Sequence, residues 1–172
     1  MTKLSDTVGD ALMVEVHYYT PWNFCGMEKD ESWGKMFFYW GSANHLSSSS
    51  YNASWGEEDD MKKLFQKMKT KFVDKGYPVI IGEYGCQWRD VSAVSGQDQT
   101  KHDASVKAFH SEVCRQAVSM GMVPVVWDIN YTNRGGTKGV MTIVNRSQLA
   151  VFCQPAMDGI TEGVAAATWP SN

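Results

Sequence analysis

The chain has 172 residues, 43% of them hydrophobic and 20% charged, with a formal net charge of −3. That length builds one domain with a real core, and the near-neutral charge excludes the basic face that nucleic acid needs. No apolar run approaches the roughly 20 residues of a membrane span, the N-terminus has no signal-peptide pattern, and 12% aromatics exclude disorder.

Residues 12–16 read as a first strand, aliphatic except for Glu15. Such a near-continuous run fits a parallel strand covered on both faces, so Glu15 is either a buried, paired carboxylate or a barrel-interior residue. The longest loop follows, holding Trp22, Trp33 and Trp55, with a serine run at 47–50 that reads as a mobile tip. Met61, Leu64, Phe65, Met68 and Phe72 then form one apolar stripe at helical spacing, with Ser54 and Glu57 placed as a capping box. Gly76 ends this helix and a second strand occupies 78–81. Val106, Phe109, Val113, Ala117 and Met120 mark a second helix, closed by Gly121 before a third strand at 122–126. A third helix is expected over 155–167, with Pro155 in its first turn and Gly159 and Gly163 weakening it. This strand–helix alternation predicts an α/β fold with a parallel sheet and right-handed crossovers. Loops are long after each strand and tight before the next, as in enzymes whose sites lie at strand C-termini.

Those strand ends carry the informative residues. His17, Tyr18 and Tyr19 follow the first strand, Gly82-Glu83-Tyr84-Gly85 the second, and Trp127-Asp128 the third. A histidine, a carboxylate and a large aromatic therefore emerge at the same end of neighbouring strands. Singly, each also fits a plain role: a solvated Glu83, a satisfied core His17, a core Trp127. Their coincidence favours a site, and the glycines beside Glu83 allow close approach. His102 and His110 are expected on a solvated helix face and His45 in a loop. Cys25, Cys86, Cys114 and Cys153 form no C-x-x-C pair, which excludes zinc-ribbon and thioredoxin-type motifs. Cys114 reads as a small buried apolar residue. No glycine-rich phosphate loop or nucleophile elbow occurs, and neither a metal set nor a cofactor is indicated.

The blocks at 14–19, 79–85 and 125–128 together resemble the last three strands of a family 5 glycoside hydrolase, nearest the endoglucanase-type members of gut and rumen bacteria. Ser54-Trp55-Gly56 in the long loop is similar to that group too. The resemblance implies a (β/α)8 TIM barrel that cleaves β-1,4-glucan with retention, secreted or periplasmic as a whole protein. It implies Glu83 as nucleophile, His17 and Tyr19 as an H-x-Y pair beside it, and Trp127 as a platform under the sugar. Trp22, Trp33 and Trp55 are candidates for further subsites. The family's acid/base lies in an Asn-Glu pair after strand four, and no Asn-Glu dipeptide occurs in this sequence. Residues 1–172 are accordingly expected to be the C-terminal portion of the catalytic barrel, strands six to eight, with 1–11 leading into strand six.

Two rival readings follow from the missing second carboxylate. One is a non-catalytic carbohydrate-binding or interaction module that uses the aromatic loops. The other is a small α/β enzyme that pairs Glu83 with Asp128.

Overall fold

The computed structural model describes residues 8–9, 11–133 and 136–171, so most of the expected lead-in at 1–11 lies outside the described residues. Strand β1 (Val14–Tyr18), β2 (Val79–Tyr84) and β3 (Met122–Val126) form one sheet in the order β1-β2-β3. Both pairings are parallel, as the alternation predicts. Helix α1 (Trp22–Cys25) is a single turn after β1. Helix α2 (Glu58–Lys71) connects to β2, and α3 (Gln99–Ser119) connects to β3. After β3 comes a short antiparallel pair, β4 (Val144–Asn145) and β5 (Ala150–Val151), and then α4 (Gln154–Ala165).

The helices cover one face of the sheet. Tyr18, Val79, Ile81, Tyr84 and Met122 pack there against Met61 and Phe65 of α2, Phe109 and Val113 of α3, and Ala156 of α4. On the opposite face the described residues cover little: Met13, Val123 and Val125 are 59%, 50% and 41% exposed. The expected double coverage is therefore corrected to single coverage, and Glu15 lies on the open side rather than buried. A parallel sheet bare on one face is what a sector of a barrel looks like, since that face belongs to the barrel interior.

Several sequence expectations are revised by packing. Helix α2 begins at Glu58 with Glu57 as N-cap, and no side chain caps it, so the Ser54–Glu57 capping box does not form. Glu57 Oε1 instead accepts from the Gly41 amide at 2.8 Å and contacts His45 Nε2 at 2.8 Å. The stripe on α2 is narrower than its spacing suggests, because Leu64 is 42% exposed while Met61 and Phe65 are buried. Helix α3 starts further upstream than expected, where the Asp98 side chain accepts from the Lys101 amide at 3.1 Å. Gly159 and Gly163 do not merely weaken α4. A Cβ at either position would lie 2.3 Å from a backbone oxygen of α3, so they permit the close crossing of the two helices. The serine run is tied down as well: Ser49 Oγ donates to Gln97 Oε1 and Ser50 Oγ accepts from Lys35 Nζ.

His102 and His110 are also misplaced by sequence reasoning, since both are buried on α3. The Arg89 amide donates to His102 Nε2 at 2.9 Å, so Nδ1 carries the proton and donates to the Phe38 carbonyl at 2.7 Å. Burial lowers His102 to about 4 and His110 to about 3, from an ordinary 6.5. Above pH 6.5 these rings are neutral folded or unfolded and contribute no pH dependence. Below it the unfolded chain binds protons that the folded chain refuses, so stability falls as pH falls toward the folded values. Each ring contributes up to about 1.4 kcal/mol per pH unit in that window. His110 Nδ1 has no hydrogen-bond partner among the described residues, which makes His110→Leu a mild replacement. Urea midpoints measured between pH 7 and 5 should fall less steeply in His110→Leu than in the parent. Equal slopes would show that the ring is not held neutral.

Candidate active site

The site is built where the strands end. Along β2, Val79 and Ile81 point into the helix layer, so regular alternation would send Glu83 there too. The pairing register prevents it. Val16 pairs with Ile81 but His17 pairs with Glu83, leaving Gly82 as one extra residue on β2. The same extra residue appears against β3, between the Ile81–Pro124 and Tyr84–Val126 pairs. This bulge switches the side-chain alternation. Glu83 turns to the open face beside His17, and Tyr84 turns into the core, where its hydroxyl lies 3.1 Å from Cys114 Sγ.

On the open face, Tyr19 Oη donates to Glu83 Oε2 at 3.0 Å and His17 Nδ1 lies 3.4 Å from the same oxygen. Burial and the Glu83 hydrogen bond both hold the Tyr19 hydroxyl above its ordinary range, so it remains a neutral donor. Among the described residues, both polar contacts of the Glu83 carboxylate fall on Oε2. Trp127 begins the loop after β3, its amide donating to the Tyr84 carbonyl at 2.8 Å. The sequence-predicted His17, Tyr19 and Glu83 are thus in direct contact, and Trp127 follows the neighbouring strand.

A cleft of about 930 Å³ is lined by Trp22, Trp33 and Trp127 together with Gln87, Glu28 and Lys138, while His17, Tyr19 and Glu83 are not among its lining residues. The three indoles are 48%, 64% and 44% exposed, and Trp22 meets Tyr19 edge-on at 6.3 Å. Apolar planes open to solvent and rimmed by hydrogen-bonding groups suit the flat faces of pyranose rings. Trp55 is 47% exposed on the loop before α2 and does not line this cleft.

Asp128, offered by the third reading as a partner for Glu83, has a structural job. Its Oδ2 accepts from the amides of Ile143 and Val144 at 3.1 and 2.9 Å, and its Oδ1 from that of Asn130 at 2.7 Å. This folds the loop after β3 back against the sheet and leaves Asp128 unsuited to acid–base work.

Sequence reasoning missed Arg89, which is fully buried. It donates to the carbonyl of Phe24 at 3.3 Å and to that of Thr137 at 2.7 Å, and to Gln87 Oε1 at 3.2 Å. It thereby pins the loops after all three strands, and burial lowers it to about 10. An arginine in a polar loop gives no pattern that would announce this. Among the described residues no group of three or more His, Cys, Asp or Glu is arranged to hold a metal ion, and no helix is long and apolar enough to cross a membrane.

Comparison with known proteins agrees with this geometry. The sequence profile of Cellulase (glycosyl hydrolase family 5) matches residues 3–133. Endoglucanase A of Paenibacillus barcinonensis is 29% identical over 157 residues, covering 89% of this chain and 34% of that protein. The xyloglucan-specific endo-beta-1,4-glucanase BoGH5A of Bacteroides ovatus is 31% identical over 129 residues, 75% of this chain and 24% of that protein. Among solved structures, XEG5B is a xyloglucan-specific beta-1,4-glucanase from a ruminal metagenomic library, crystallised with XXLG. It superposes with a TM-score of 0.82 at 45% identity, over 92% of this chain and 39% of that one. The chain thus spans between about a quarter and two fifths of the length of these relatives. Its three parallel strands and their helices are part of a TIM barrel, and the chain belongs to glycoside hydrolase family 5.

Proposed function

We propose that the chain is the sector spanning strands six to eight of a secreted, retaining endo-β-1,4-glucanase, with Glu83 as nucleophile and xyloglucan as the substrate class. The observation that carries this is the bulge at Gly82, which turns Glu83 onto the face shared with His17 and Tyr19. In that role Glu83 Oε1 attacks the anomeric carbon of the bound sugar and the glycosidic bond to the leaving oxygen breaks. A glycosyl ester on Glu83 results, and water later hydrolyses it. Tyr19 and His17 hold Oε2 so that the other oxygen faces the sugar. Trp127 stacks beneath that sugar, and Trp22 and Trp33 carry neighbouring ones. The choice of xyloglucan rests on the names and bound ligand of the relatives at 31% and 45% identity.

Retention needs a second carboxyl group about 5 Å from the nucleophile to protonate the leaving oxygen. Asp128 is committed to backbone amides, and Glu15 contacts His17. These two commitments favour a second reading, in which this chain binds glycan without cleaving it. Both readings require glycan in the tryptophan-lined cleft. Titration with a xyloglucan heptasaccharide should change the tryptophan fluorescence saturably. Trp127→Ala should weaken binding about 10-fold or more, as losing one buried ring contact does. No saturable binding by the folded parent chain would overturn the assignment of the cleft.

A further inference from the structure

Trp22 opens α1 and lines the cleft, yet the residue that decides where its indole lies is one turn further on. Gly26 closes α1, its amide donating to the Trp22 carbonyl at 2.8 Å. A Cβ on Gly26 would sit 2.2, 2.3 and 2.5 Å from Cη2, Cζ3 and Cζ2 of the indole. Three neighbouring ring atoms at nearly one distance place that Cβ over the face of the six-membered ring, not off its rim. The indole therefore lies flat against the Gly26 backbone. Gly26 is buried while Trp22 is half-exposed, so the ring covers the turn and keeps the rest of its surface for the cleft. The φ of Gly26 is −135°, outside the left-handed region that favours glycine, so what glycine supplies here is space. The backbone has no slack to give instead. Gln87 Nε2 donates to the Gly26 carbonyl at 3.1 Å, and the buried Arg89 donates both to Gln87 Oε1 and to the Phe24 carbonyl of the same turn. A methyl at position 26 would meet a clamped turn on one side and an indole on two rotatable bonds on the other. The indole is the part that moves.

We propose that Gly26 is a positioning residue for the Trp22 sugar platform; this rests on the reading of the cleft as a glycan site. With only hydrogens on its α-carbon, Gly26 lets the indole rest on the turn before any ligand arrives. The sugar then meets a surface already in place, and binding does not have to order that side chain. The same contact sets how far this wall of the cleft stands back. A side chain at position 26 lifts the indole off the turn and into the space that the sugar ring takes. Gly26 acts through Trp22 rather than by its own contact with sugar.

NMR of the full chain without ligand, labelled with ¹³C at the glycine α-carbons, tests the contact first. Protons over the face of an aromatic ring resonate upfield, and the Gly26 signal is identified by its loss in Gly26→Ala. An α-proton of Gly26 should lie upfield in the parent and return to the ordinary glycine range in Trp22→Ala. Calorimetric titration with a xyloglucan heptasaccharide tests the consequence. Gly26→Ala should weaken binding about 10-fold, as Trp22→Ala does, while its urea midpoint stays close to that of the parent. The double variant should bind no more weakly than Trp22→Ala alone, because the ring that the methyl displaces is already gone. That non-additivity separates a residue acting through Trp22 from one acting on the fold. A parent Gly26 α-proton in the ordinary range would overturn the proposal. So would parent affinity in Gly26→Ala, or a loss that adds to that of Trp22→Ala. If Gly26→Ala does not fold, the double variant decides. It should fold, and its failure would overturn the proposal by assigning the glycine to the backbone. An upfield α-proton in a parent that binds no heptasaccharide would overturn the glycan reading of the cleft, and the platform role with it, while leaving the ring contact in place.

Discussion

The purified 172-residue chain should release reducing sugar from β-glucan no faster than background. General acid assistance to the leaving oxygen typically contributes about 10²–10⁴-fold, and neither Asp128 nor Glu15 is free to give it. Asp128 spends both oxygens on backbone amides, and Glu15 faces His17 from the far side of its ring. A glycoside with an activated aryl leaving group is a different matter, because such a group departs without protonation. A 2-fluoro-cellobioside carrying a dinitrophenolate should slowly add one glycosyl unit to the chain by mass spectrometry. Peptide mapping should place the label on Glu83, and Glu83→Gln should abolish it. Robust hydrolysis of β-glucan by the parent, lost in Glu83→Gln, would show that an acid has been found elsewhere in the chain. Labelling that survives Glu83→Gln would remove Glu83 from the role of nucleophile.

The second large effect concerns the open face of the sheet. Met13 on one edge and Val123 and Val125 on the other leave apolar surface to water, with the polar Glu15 and His17 on the same face. β1 and β3 are also sheet edges among the described residues, and each presents unpaired backbone groups. Soluble monomers rarely tolerate contiguous apolar patches beyond a few hundred Å². The chain on its own should therefore self-associate through this face, with light scattering reporting dimers or larger species and bound hydrophobic dye. Val123→Thr together with Val125→Thr keeps side-chain volume and strand propensity while making the patch polar. That variant should shift the population toward monomer and lose most of the dye signal. A monomeric parent that unfolds in one cooperative step without binding dye would mean the face is covered by the chain itself.

Much of this protein could be read from its sequence, and the reason is periodicity. Nearly continuous aliphatic runs at 78–81 and 122–126 fit strands with at least one face on a core. The stripe from Met61 to Phe72 fits a helix over a core. Their alternation leaves little but a parallel sheet in sequence order. The placement of the candidate residues was legible for a related reason, since His17 and Trp127 directly follow such runs and Glu83 follows one after Gly82. What periodicity does not carry is the effect of one extra residue. Strict alternation would have sent Glu83 into the helix layer with Val79 and Ile81. Only the pairing of His17 with Glu83, which skips Gly82, puts the carboxylate on the open face. Burial decided by distant segments is equally silent in the sequence. His102 and His110 look like polar helix residues until Phe38 and Arg89 arrive from other loops and α4 closes over α3 through Gly159 and Gly163. Local composition fixes which segments become strands and helices, because each must bury its own apolar side. The aim of a single carboxylate depends on register against a neighbour more than 60 residues away in the chain, and only the assembled sheet sets that register.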